Sequence, residues 1–155
     1  MKRSIVTTAA LAAFAALVGC QSKGGGSGTG GGFPEKGLAV YKDKLQKGDN
    51  ALDHALAGKY PAARAAVVKI TGKMKPQKGL TDDEKAQIDA AVKATGFTGV
   101  EQFYEMFNDI MGARMALKHL ANAEKGEVSD FQKAVAEKMV EDYTEADLRL
   151  VHGMK

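Results

Sequence analysis

The chain has 155 residues, 22 bases against 19 acids, a single cysteine and no tryptophan. One cysteine excludes an intrachain disulfide and any multi-thiolate metal site, so the folded part must be held by packing alone. Few aromatics leave Leu, Ile, Val, Met and Ala to fill the core, and a net charge of +3 gives little drive toward nucleic acid.

The first segment is Met1-Lys2-Arg3, a short basic start, followed by an almost wholly apolar run from Ile5 to Val18. A run of about 14 residues falls short of the roughly 20 that a helix needs to cross the hydrocarbon core. A basic start, a short apolar stretch and a small residue before a cut form the pattern of a secretory signal peptide. The run closes on Leu17-Val18-Gly19-Cys20. This tetrad resembles the lipobox of bacterial lipoproteins. The resemblance implies cleavage between Gly19 and Cys20, a diacylglyceryl group on the Cys20 thiol and acylation of the new amino terminus. It also implies delivery to the outer membrane in a two-membrane bacterium, because Gln21 stands where Asp would retain the chain at the inner one. Residues 1–19 are thus expected to be a signal peptide and Cys20 the lipidated residue. Two acyl chains suffice for stable anchoring. Without Lys2 and Arg3, 20 bases face 19 acids, and no nucleic-acid partner is expected.

Gln21 to Gly32 is nearly all Gly, Ser and Thr. It cannot bury surface, so residues 20–34 are expected to be a lipidated cysteine and a flexible tether. No strand precedes the glycines and no Gly-Lys-Ser/Thr follows them, which excludes a phosphate-binding loop. Residues 35–155 are expected to form a single helical domain. Leu38, Tyr41, Leu45, Leu52, Ala55 and Leu56 fall near one helical face, with Gly48-Asp49-Asn50 as the place where the helix breaks or weakens. Gly58-Lys59-Tyr60-Pro61 reads as a turn into a helix over Ala62 to Thr71, stopped by Gly72. Gly58-Lys59-Tyr60 with Ala63 resembles the centre of one tetratricopeptide unit, but no second copy follows at that family's 34-residue period.

Thr81-Asp82-Asp83-Glu84, Thr98-Gly99-Val100-Glu101 and Ser129-Asp130-Phe131-Gln132 read as three capping boxes. They open helices over Asp82 to Thr95, Gly99 to Glu124 and Asp130 to Tyr143. The expected inner faces are Ile88, Ala91, Val92 and Thr95 in the first. In the second they are Phe103, Met106, Phe107, Ile110, Met111, Leu117, Leu120 and Ala121; in the third, with the residue before it, Val128, Phe131, Val135 and Met139. Thr144-Glu145-Ala146-Asp147 starts a short last helix with Leu148 and Val151 inward and Gly153 as its stop. The fold class is all-α, a compact bundle of five to six helices.

No catalytic, cofactor or metal site emerges. His54, His119 and His152 lie on three different helices without zinc-site spacing. Met106, Met111 and Met115 suit core filling better than copper or haem ligation. Asp82 and Asp83 suit a helix N-terminus, Glu141 and Asp142 have no cleft argument, and Ser27 sits in the tether. Phe103, Tyr104 and Phe107 read as a core stripe. The expected function is a non-enzymatic, lipid-anchored domain that binds a partner protein or envelope component. The alternative is a small-molecule, haem or metal carrier using a bundle cavity, for example one lined by Met106, Met111 and His119. Charge is asymmetric: 11 bases against 4 acids from Cys20 to Gly79, then 9 against 15. Lys69, Lys73, Lys75 and Lys78 would face the membrane, unless folding mixes the two sets.

Overall fold

A computed structural model describes residues 32–126 and 128–154. The expected signal peptide, Cys20, Gln21, Ser27 and nearly all of the tether lie outside the described residues. The described residues belong to one compact unit and form an all-α bundle. Its helices are α1 (Glu35–Tyr41), α2 (His54–Ala57), α3 (Tyr60–Thr71), α4 (Asp82–Lys93), α5 (Val100–Glu124), α6 (Asp130–Val140) and α7 (Glu145–Gly153), with 3-10 turns at Lys42–Lys44 and Gln77–Gly79. Seven helices replace the expected five to six because the first apolar stretch breaks. After Leu45 the chain runs irregularly to Asp53, and α2 is a single turn. Leu38, Tyr41, Leu45, Leu52 and Leu56 are buried as expected, but Ala55 faces solvent.

The long α5 is the central element, packed by α1, α3, α4, α6 and α7. Its N-terminal half meets α3 and the α3–α4 loop: Tyr60 stacks on Phe103 at 5.8 Å, and the Tyr104 hydroxyl donates to the Lys75 carbonyl at 2.9 Å. Its C-terminal half meets α1 and α7. Gly37 of α1 lies so close to α5 that an added Cβ would collide with the Leu120 carbonyl. The buried side of α5 therefore turns along its length, from Phe103 and Tyr104 to Ala113, Ala116 and Leu120, all 3% exposed or less. Met111 falls outside this track. It was expected inward and is 39% exposed.

Helix ends follow local chemistry. The boxes at Thr81 and Ser129 close in both directions, with the Glu84 and Gln132 amides donating to the cap hydroxyls at 3.2 and 3.3 Å. The box expected at Thr98 does not form. Gly99 takes the cap position, and Asp89 of α4 accepts from the Val100 amide at 3.1 Å. Gln102, not Glu101, reaches back to the Thr98 amide at 2.8 Å. Gly72 ends α3 at a φ of +73°, a backbone region costly for any residue with a Cβ. On α6 the expected face is misplaced by part of a turn. Ala136 and Val140 are fully buried, Val128, Val135 and Met139 only partly, and Phe131 is 78% exposed. Small side chains at the buried positions let helices approach closely, and α5 offers Ala113 and Ala116. Among the described residues no helix is long and apolar enough to cross a membrane.

Candidate functional site

The densest polar cluster lies where α7 begins. Thr144, the residue before the helix, accepts from the Asp147 amide at 3.2 Å, and Asp147 Oδ2 accepts back from the Thr144 amide at 3.0 Å. This is a third capping box, with Asp in the reciprocal place usually held by Glu or Gln. The shorter side chain keeps the carboxylate inside, at 0% exposure. Its remaining capacity is filled from a segment some 95 positions earlier: Ala51 N donates to Oδ2 at 3.0 Å, Leu52 N to Oδ1 at 3.3 Å and His54 Nε2 to Oδ1 at 2.7 Å. Thr144 Oγ1 also lies 2.8 Å from Asn50 Oδ1.

His54 is oriented locally. Asp53 caps the one-turn α2 by accepting from Leu56 N at 3.0 Å, which sets the helix start and turns the ring toward Asp147. A carboxylate only accepts, so Nε2 of His54 carries the proton. Burial pushes the Asp147 pKa up, but the Thr144 amide, His54, the Thr144 hydroxyl and the Ala51 amide outweigh it and hold the pKa below the ordinary carboxylate range. A buried carboxylate orienting a half-exposed imidazole is the supporting half of an acid–base pair. The one serine among the described residues, Ser129, is engaged with Gln132 in its own box, and the Thr144 hydroxyl is engaged by Asp147 and Asn50. What this cluster does is pin the irregular 46–53 segment onto α7.

The second feature runs along the same two elements. An open, largely apolar groove is lined by Ala57, Gly58, Pro61, Arg149, Leu150, Gly153 and Met154. Arg149 is bidentate to Glu35 at 2.8 and 2.9 Å, reaches Glu145 at 2.8 Å and lies 4.3 Å over the Phe33 ring. These partners push the guanidinium pKa further up. Phe33 also meets His152 edge-on at 5.4 Å. The chain therefore arrives from residue 32 directly onto α7 beside the groove. At the far end of α7, Arg114 Nη2 approaches the Met154 carbonyl at 3.5 Å. Arg64 and Arg114 both bear on the Tyr60 phenol, whose pKa burial raises and their charges pull back.

The residues singled out from sequence are dispersed. His54 joins Asp147, His152 packs on Phe33, and His119 sits partly buried on α5. Among the described residues no group of three or more His, Cys, Asp or Glu is placed to hold a metal. Met106 is 5% exposed, Met111 39% and Met115 49%. Five residues separate the first two, about 140° around a helix, so a cavity lined by Met106, Met111 and His119 is not assembled. Phe103, Tyr104 and Phe107 form an edge-to-face aromatic run in the core. Asp82 and Asp83 lie in the first turn of α4, and Glu141 pairs with Lys138. Lys75 of the lysine cluster is bonded to Glu84 at 2.5 Å, and α3 packs on acidic α4, so folding mixes the two charge sets. Arg149 was not picked out from the sequence, and Asp147 entered only as the end of the Thr144-Glu145-Ala146-Asp147 helix start. The only signal was an acid three residues after Thr144, ahead of an apolar pair. No family model, curated protein or solved structure matches this chain.

Proposed function

We propose that this chain is a bacterial lipoprotein, anchored through Cys20, whose helical domain is a non-enzymatic binding module for a protein or another component of the cell envelope. The observation that carries the reading is the register of the first 20 residues: basic start, short apolar run, and Leu-Val-Gly-Cys at its end. The Gly-rich stretch that follows supplies reach. The domain supports a binding role rather than a reaction. Its most tightly held polar groups, Asp147 and Arg149, are spent on internal partners, and its large apolar side chains at Phe131 and Met115 are left on the surface.

Metabolic labelling with a clickable fatty acid in a bacterial host tests the anchor. The label should reside on the mature chain and vanish in Cys20→Ser. Label retained in that variant would overturn the reading. Photo-crosslinking from Phe131 and Met115 in intact cells tests the module, and a discrete cross-linked product is expected. Uncross-linked chain alone from both positions, together with turnover of an envelope substrate by the purified protein, would contradict a binding role.

A further inference from the structure

The α2–α7 groove combines three properties that point to one kind of surface. Its walls are apolar, formed by Ala57, Pro61, Leu150 and Met154. Cationic groups border it: Arg114 at the Met154 carbonyl, and Arg64 one turn beyond Pro61 on the same side of α3. Among the described residues neither arginine is in an ion pair, whereas Glu35 and Glu145 are both paired with Arg149 on the groove wall. The chain that leads back to Cys20 arrives at this same face, because Phe33 is held between Arg149 and His152.

We propose that the α7 face docks on an anionic lipid surface, the groove receiving apolar lipid atoms while Arg64 and Arg114 meet headgroup phosphates. The proposal rests on the anchor reading, which supplies proximity. A Gly-rich coil of the length between Cys20 and Phe33 spans about 20 Å r.m.s.. Anchoring at Cys20 would therefore bring this face to the bilayer at high effective concentration. Each juxtamembrane Arg or Lys near an anionic surface contributes about 1 kcal/mol, an attraction that salt screens. Two arginines are a weak docking element alone and a sufficient one when tethered.

The test uses the full lipidated protein in phosphatidylcholine vesicles with and without phosphatidylglycerol. Cys20 is the only cysteine and would carry lipid, so a thiol introduced by Met154→Cys takes an environment-sensitive fluorophore at one site. Gln132→Cys on α6 provides the distant control. A spin-labelled lipid should quench the fluorophore at 154 but not at 132. That quenching should need phosphatidylglycerol, weaken with added salt, and be lost when Arg64→Glu and Arg114→Gln are combined. Circular dichroism of that double variant verifies that the helices remain, and the salt arm reads the same attraction without any substitution. Flotation with the vesicles but equal quenching at both positions, or quenching indifferent to headgroup charge and salt, would overturn the docking alone. Failure to float would overturn the anchor and the docking with it.

Discussion

Replacing Asp147 by Asn should unfasten the 46–53 segment from α7 at a cost large for a domain of this size. The carboxylate is fully buried and takes five donors: Oδ2 accepts from the Thr144 and Ala51 amides and the Thr144 hydroxyl, Oδ1 from the Leu52 amide and His54. An amide retains one oxygen and turns an NH2 group toward the donors of the other. At least two bonds to a charged acceptor disappear, and their donors are left facing an N–H donor. Bonds to charged groups are worth about 1.5–3 kcal/mol, and breaking a buried charged network costs about 3–5 kcal/mol. A loss of about 3 kcal/mol is therefore expected, against a total stability of about 5–15 kcal/mol for a typical domain. The pH dependence has a definite sign. The folded-state pKa of Asp147 is lowered, so its contribution is present above the unfolded carboxylate pKa and is lost as pH falls through the folded value. Urea unfolding followed by circular dichroism, at neutral pH and then in steps toward acid, measures both effects. The wild-type protein should lose stability on acidification more steeply than the variant. An Asp147→Asn protein within about 0.5 kcal/mol of wild type at neutral pH, a change typical of an unremarkable surface position, would refute the reasoning.

Other outcomes follow from particular contacts. Gly37→Ala places a methyl group against the Leu120 backbone, which cannot yield as a side-chain tip would; calorimetry should show a loss of about 1–3 kcal/mol, the usual cost of overpacking. Ile110→Ala empties a fully buried site and should cost about 2–5 kcal/mol, whereas Phe131→Ser, at a position 78% exposed, should stay within about 0.5 kcal/mol of wild type in the same urea assay. Dialysis against a strong chelator should leave the unfolding midpoint unchanged, because His54, His119 and His152 are dispersed; a midpoint that falls on chelation and returns with one metal would move the account to a carrier.

The legible parts of the fold were those written in consecutive residues. Thr81 with Glu84 and Ser129 with Gln132 carry both halves of a cap within four positions, and Gly72 marks its stop alone. Thr98 misled because the Val100 amide that opens α5 is satisfied by Asp89 of α4, eleven positions before Val100. The stripe through Met111 misled because α5 changes neighbours along its length, so one angular face cannot describe 25 residues. Phe131 misled because the buried side of α6 is defined by small Ala136 rather than by the largest apolar residue. The long-range role of Asp147, beyond its place in the start of α7, was invisible for a stronger reason: it depends on Ala51, Leu52 and His54, donors that only the closed fold delivers. The groove at α7 was hidden likewise, since its walls come from α2, α3 and α7 together.

The most direct measurement on the central claim is the intact mass of the protein extracted by detergent from the membranes of a bacterium expressing the full chain. The account predicts residues 20–155 plus a diacylglyceryl group, with or without a further acyl chain at the amino terminus, and a Cys20→Ser chain that stays uncleaved and carries none. A mature species that starts elsewhere, or that starts at Cys20 with an unmodified thiol, would contradict it.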